Sequence, residues 1–299
     1  MLGGIAIHTE KRFFNKIKAY LVFGGPLTFI FFTVIICSFV FGIYLTLTNW
    51  DGISRIHDFV GIKNYITLFH TQAFWTSFTV TLKYVFAMVI LTNVIAFFLA
   101  YILTSGIKGE SFFRAGFFSS NLIGGIVLGI IWNFIFSTVI VYIGKNFIPF
   151  LSKSWLADPT KALWALVFTT VWQYSGYMMI IYIAGFMSVP RELLEAASID
   201  GASNFVKLKN IIIPFMVPSF VICLFLTFQR GFIVYDINLS LTTGGPYHST
   251  ELISMYVYQK AFLAQQYGIG QASAFFLFIV VFIVAISQVY FGKKLEIEA

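Results

Sequence analysis

The chain has 299 residues, of which 59% are apolar, 19% aromatic and only 10% charged. A soluble domain carries about half apolar and about a quarter charged residues, so a mean hydropathy of +0.88 excludes an ordinary soluble fold and points to a membrane protein. The net charge of +7 is spread without a dense basic run, which argues against nucleic acid as a partner.

Six uncharged stretches follow one another along the chain, at 19–50, 84–107, 115–144, 162–190, 210–229 and 261–292. Each is long enough for one membrane helix, since about 20 residues at about 1.5 Å rise cross the hydrocarbon layer. The second is expected to begin near Ala73, which places Lys83 inside it. Continuous apolar runs at 29–47 and 274–286 lack the alternation of a transmembrane β-barrel. The expected fold is therefore all-α with six transmembrane helices, a membrane domain over 20–291 flanked by tails at 1–19 and 292–299.

The first stretch follows Lys11, Arg12, Lys16 and Lys18 but is too long for a cleavable secretory segment, so it reads as an anchor. With the N-terminus inside, Lys108, Arg114, Arg191, Lys207, Lys209, Lys293 and Lys294 also fall on inner segments. Arg55, Lys63, Lys145, Lys153, Lys161 and Lys260 fall outside. That bias places both termini in the cytoplasm of a bacterial-type cell membrane.

Sites for chemistry are scarce. Cys37 and Cys223 lie in expected spans, and His8, His57, His70 and His248 have no ligand spacing, so neither catalysis nor a metal or other cofactor is expected in this chain. No G-x-x-x-x-G-K-[ST] loop is present, so ATP would have to be bound elsewhere.

The informative stretch is 188–214, SVPRELLEAASIDGASNFVKLKNIIIP. Ser188 is suited to cap a helix, Pro190 to its first turn, and Glu192 and Glu195 to the positive end of its dipole. Asp200-Gly201 breaks that helix, Ser203 or Asn204 can cap a second, and Pro214 opens the next span. The pattern is a helix-turn-helix on the cytoplasmic surface; on these residues alone a membrane-surface amphipathic connector is the favoured reading.

Glu195-Ala196-Ala197, three residues, Gly201, nine residues, then Ile211, Ile213 and Pro214 resemble the EAA loop of binding-protein-dependent ABC importers, and EAASIDGAS resembles its carbohydrate branch. Further stretches match that branch in order: Phe59-Val60-Gly61-Ile62-Lys63-Asn64-Tyr65, Phe112-Phe113-Arg114, Ile131-Trp132, Ala157-Asp158-Pro159, Val171-Trp172, Val189-Pro190, and Thr243-Gly244-Gly245-Pro246 with Ser249-Thr250. Gly268-Ile269-Gly270-Gln271-Ala272-Ser273 is a looser version of the family's stretch there. The resemblance implies a permease subunit in membrane lipid that pairs with a second permease, receives sugar from an extracytoplasmic solute-binding protein, and recruits two ATPase subunits, which bind the ATP and magnesium. It further implies that Glu192, Glu195, Ala196, Ala197, Asp200 and Gly201 form the contact with the ATPase.

The helices flanking that loop are where substrate contacts are expected. Thr170, Gln173, Tyr174 and Tyr177 share one face of the fourth span by their i, i+3, i+4, i+7 spacing, and Thr227, Arg230 and Gly231 share one face of the fifth. Hydroxyl, amide and aromatic groups suit sugars, although each residue reads equally well as packing between helices. Tyr177 and Thr227 are preferred. Arg230 lies about 24 Å beyond Pro214, where it can snorkel to the outer interface or point into the path with Asp236 nearby; a cation there raises the reading of a negatively charged saccharide. The outer segments 238–265 and 49–71 are expected to face the binding protein. An importer of another solute, such as an amino acid or glycerol phosphate, shares the loop but fits Thr-Gly-Gly-Pro less well. A gradient-driven transporter usually buries carboxylates at mid-membrane, and no acidic residue is central to an expected span.

Overall fold

The computed structural model of the protein describes residues 18, 20–55 and 57–295. The expected tail 1–19, with His8, Lys11, Arg12 and Lys16, lies almost wholly outside the described residues, as do the last four residues of the tail 292–299. The main helices are α1 Gly25–Thr46, α2 Lys63–His70, α3 Gln72–Thr104, α4 Glu110–Ser119, α5 Gly125–Asn146, α6 Pro159–Met187, α7 Arg191–Ile199, α8 Asn204–Phe215, α9 Val217–Ile233, α10 Asp236–Leu241, α11 Ile253–Tyr258 and α12 Tyr267–Leu295. Among the described residues there is no strand, only an isolated bridge between Thr48 and Phe59.

Four helices, α1, α3, α5 and the Tyr267–Gly292 part of α12, are long and apolar enough to cross a membrane. Two bent pairs, α6 with α7 at 65° and α8 with α9 at 67°, raise the number to six if each pair counts as one span. The bends have chemical causes. Asp158 starts α6 by accepting from the amides of Thr160 at 2.9 Å and Lys161 at 3.0 Å, with Pro159 in the first position, where its missing N–H costs nothing. The amide of Lys161, foremost, holds the Asp158 carboxyl below its ordinary pKa. Contrary to expectation, Ser188 does not cap α7. Its hydroxyl donates to the Gly185 carbonyl at 2.7 Å and so closes α6, while Pro190 stands at the cap position of α7. Between α8 and α9, Pro218 has no N–H for the Pro214 carbonyl and its ring crowds that oxygen, which turns the chain at Met216.

The third apolar stretch is not one helix. α4 stops at Ser119, one tight turn covers Ser120–Leu122, and Ile123 and Gly124 are extended before α5 begins at Gly125. Ser119, Ser120 and Asn121 compete with the helix for backbone hydrogen bonds, and the Gly124-Gly125 pair weakens it further. Backbone freed in this way is tolerated in an apolar surrounding only where protein groups satisfy it. Here Gln173 Nε2 donates to the Ile123 carbonyl at 2.9 Å, and Ser120 Oγ lies 3.1 and 3.2 Å from the carbonyls of Trp172 and Gln173.

α3 and α6 form the centre of the packing, with Tyr84, Met88, Leu166, Met178 and Tyr182 fully buried. Close approach depends on glycine. A Cβ on Gly176 would lie 1.9 Å from the Phe117 carbonyl oxygen, so α4 rides directly on α6, and one on Gly129 would lie 1.9 Å from Ser240 Oγ, so α10 rides on α5. Gly125 and Gly129 are four apart, the small-xxx-small spacing of membrane helix contacts. By contrast α1 is exposed over most of its length; only its second half meets α12, where Phe39 packs on Phe275 and Phe278.

Gly176→Val is expected to force α4 off α6 and cost about 3 kcal/mol or more, whereas Gly116→Ala meets nothing within 4 Å and should be neutral. Thermal unfolding of the detergent-solubilised protein, followed by the monodisperse fraction, compares the two.

Candidate functional site

Below the middle of the helical bundle a polar network ties three helices together. Asn93 of α3 accepts from the Tyr182 hydroxyl of α6 at 2.7 Å through Oδ1, and through Nδ2 donates to Thr227 Oγ1 of α9 at 3.0 Å and to the Val89 carbonyl at 2.8 Å. The Thr227 hydroxyl in turn donates to the Cys223 carbonyl at 2.7 Å. Both Thr227 and Tyr182 are fully buried.

One turn further along α9, Arg230 turns inward. Its guanidinium lies 4.7 Å from the ring centre of Tyr174 and 5.4 Å from that of Tyr177, the distances of a cation resting on aromatic faces. Beside it opens a cavity of about 450 Å³ bounded by Gly125, Gln173, Tyr174, Gln229, Arg230, Tyr235 and Asp236. Gln173 is 5% exposed; one of the two N–H groups of its amide goes to the Ile123 carbonyl, and its Oε1 is enclosed without a hydrogen-bond partner. Among the described residues neither Arg230 nor Asp236 forms an ion pair.

Of the residues expected on the path, the structure brings Gln173, Tyr174 and Arg230 together around this cavity, with Tyr177 against the Arg230 guanidinium but outside the lining. It places three others in helix contacts: Thr170 is fully buried with its hydroxyl on the carbonyls of Leu166 and Val167, Thr227 joins the Asn93 network, and Gly231 packs against Val85. Tyr235 and Gly125 were not anticipated, whereas Gln229 was a weaker candidate that the cavity includes. The Ser-Ser-Asn run followed by Gly124-Gly125 was the signal that a helix breaks beside the site.

At the other end of α6 and α9, α7 and α8 form the helix-turn-helix. Glu192, Glu195, Ala196, Asp200 and Gly201 are exposed, and Ala197 is half-buried. Gly201 has φ +75°, a left-handed conformation that costs other residues about 1–2 kcal/mol. The amides of Gly201 and Ala202 close α7 on the carbonyls of Ser198 and Ala197 at 3.2 and 2.9 Å. Ser203 caps α8 by accepting from the Val206 amide, and Lys207 Nζ donates to Ser198 Oγ at 2.7 Å, pinning α8 to α7. Ile199 at 87% and Phe205 at 71% exposure stand beside the carboxylates, an apolar and acidic surface of the kind that partners cover. A hollow of about 370 Å³ between this pair and Tyr101 is lined by Arg191, Leu194, Glu195, Ser198, Asn204 and Lys207.

The segment 238–265, expected on the outer side, is folded against α3. Asn238 Nδ2 donates to the Thr250 carbonyl at 2.8 Å and to Thr242 Oγ1 at 3.0 Å. Glu251, almost fully buried, accepts from Ser77 Oγ at 3.1 Å and pairs with His248. The Ile253 amide donates to Thr81 Oγ1 at 2.8 Å. These anchors leave Tyr247 as a 90% exposed tip.

Tyr182→Phe strips Asn93 Oδ1 of its donor and is expected to destabilise the protein by about 1 kcal/mol. A cycle with Asn93→Leu, read in a reversible unfolding assay, should return a coupling of that size.

No protein-family model matches the sequence. The chain is 38% identical over 290 residues to the probable starch degradation products transport system permease protein AmyD of Thermoanaerobacterium thermosulfurigenes, a match covering 97% of this chain and 99% of that one. It is 33% identical over 257 residues to the multiple sugar-binding transport system permease protein MsmF of Streptococcus mutans, covering 86% and 89%. Its fold is similar to that of a chain in the crystal structure of a bacterial ABC transporter involved in the import of the acidic polysaccharide alginate, with a TM-score of 0.80, 18% identity, and coverage of 95% and 99%. End-to-end likeness above 30% in sequence, on a helical fold with several membrane-crossing helices, makes this chain a member of the carbohydrate-type ABC importer permeases, multi-pass membrane subunits that transport and do not catalyse.

Proposed function

We propose that the protein is the permease subunit that, with a second permease, forms the path for a sugar or oligosaccharide handed over by an extracytoplasmic binding protein. The observation that carries this reading is the placement of one polar, aromatic cavity between the middle of α6 and the far end of α9, with one exposed helix-turn-helix joining the other ends of the same two helices. In this reading the bent pairs complete six spans, both termini are cytoplasmic, 1–19 and 292–299 are tails, and 20–291 is the membrane domain. The relatives named above for starch degradation products and multiple sugars support a sugar as cargo.

Glu192, Glu195, Ala196, Ala197, Asp200 and Gly201 of the loop 188–214 form the contact with an ATPase, one of two that bind ATP and magnesium. Small residues at Ala196 and Ala197 let the partner's backbone approach, and the carboxylates offer charge-assisted hydrogen bonds. Approach of the two ATPases moves the loop, and because Pro190 and Pro218 set it at an angle to α6 and α9, that motion is delivered to both helices. The Asn93 network makes α3, α6 and α9 move as one, so the cavity beside Arg230 changes its access. The segments 49–71 and 238–265, with Tyr247 at the tip, receive the binding protein.

Gly201→Asp is expected to leave membrane insertion unchanged and to lower ATP-driven sugar uptake by about tenfold or more, because the left-handed turn is strained and the loop no longer seats. Arg230→Gln should lower uptake by a similar factor, the worth of hydrogen bonds to a charged group. Both are read in vesicles carrying the whole assembly. Uptake that continues without the ATPase and follows a proton or sodium gradient overturns the reading.

A further inference from the structure

A row of aromatic rings begins at the cavity. Tyr235, which lines it, has its ring centre 5.1 Å from that of Tyr258; Tyr258 lies 5.2 Å from Phe262, Phe262 5.3 Å from Tyr267, and Tyr267 5.3 Å from Trp50. Four separate segments supply the five rings: the chain after α9, the end of α11 with the wide helical turn Gln259–Leu263 that continues it, the start of α12, and the chain after α1. The other end of α12, at Gly292, meets Val221 near the start of α9, so the row leads out from the cavity on the side away from the helix-turn-helix.

Local structure holds the rings in line. Tyr258 and Phe262 are four apart and share one helical face. After Phe262 the Gln266 amide closes a turn on the Lys260 carbonyl at 2.9 Å, which returns the chain so that Tyr267 reaches that ring. At the far end Asp51 accepts from the amides of Ile53 and Ser54 at 2.9 and 2.7 Å, and Trp50 Nε1 donates to the Ser54 carbonyl at 2.8 Å. The indole is thereby fixed by its edge and keeps its face for contact. Gly52 has φ +89°, and a Cβ there would lie 2.2 Å from the Tyr267 ring, so glycine is what lets this loop lie on α12. The rings do not seal one another: consecutive planes are tilted by 31° to 71°, and Tyr258 and Phe262 are 36% and 56% exposed.

Aromatic residues that anchor helices at a membrane surface need no contact with one another, whereas these rings touch in sequence and end at a polar cavity. A pyranose rests its apolar C–H face on an aromatic ring and keeps its hydroxyls in water. We propose that Tyr235, Tyr258, Phe262, Tyr267 and Trp50 form a second saccharide-binding surface, which takes the units of a longer chain outside the cavity and leads them into it. The proposal rests on the import reading.

The test uses the whole assembly with its binding protein. p-Benzoylphenylalanine in place of Phe262 should photolabel maltohexaose, and the same group in place of Phe147, which is 77% exposed just past α5 and off the row, should not. Phe262→Leu removes the ring but keeps an apolar side chain; it should lower maltohexaose uptake about fivefold relative to maltose uptake, the worth of one ring contact. Phe262→Tyr should keep the ratio of the unaltered assembly. Labelling of the second permease or of lipid in place of the saccharide, equal labelling at both positions or none at either, or an unchanged ratio in Phe262→Leu overturns the proposal. The import reading is judged by the ATP dependence of uptake in the unaltered assembly, and labelling is a binding measurement, so each can fail without the other.

Discussion

Inside a membrane, apolar surface gives helices little reason to prefer one another over lipid, and the contacts that remain are close packing and hydrogen bonds. In this protein the decisive contact is the amide of Asn93, which accepts a hydrogen bond from the Tyr182 hydroxyl and donates one to Thr227. Three helices from distant parts of the chain meet at that side chain, in a region otherwise lined by Ala96, Ala100, Met178, Met179 and Cys223. The cavity lies one turn above it and the helix-turn-helix lies at the far end of two of the same helices. Positions of both depend on the network holding.

Glycine sets the second constraint. Gly176 lets α4 lie on α6 with backbone against side-chain-free backbone, and this brings the broken segment 120–124 level with Gln173. The break exposes a carbonyl and a helix N-terminus that an apolar surrounding would not tolerate alone. Gln173 satisfies the carbonyl, and Asp236 covers Gly125 at the start of α5. The cavity is thus the place where the structure has accommodated polar backbone.

The bends at Pro190 and Pro218 serve the opposite end. Ser188 is consumed in closing α6, so α7 begins without a side-chain cap and with proline at its cap position, free to leave the axis of α6 by 65°. Lys207 and Ser198 then make α7 and α8 one rigid piece. In the function proposed above, a piece set at an angle to its helices is the lever that passes motion from a partner to the cavity.

Much of this was legible in the residues. Charge spacing marked the apolar helices, because each lysine or carboxylate is costly in hydrocarbon; Asp200-Gly201 marked the turn, because few residues adopt φ +75°; and the Glu195-Ala196-Ala197 loop with its companions marked the family. What the sequence could not decide was which polar side chain on a helix faces a neighbour and which faces open space. Thr170, Thr227 and Gly231 share their helix faces with Gln173 and Arg230, yet three are packed and two line the cavity. Periodicity defines a face to within a third of a turn, whereas the neighbour across it depends on the glycine contacts and the broken third stretch, which arise only when helices far apart in the chain come together.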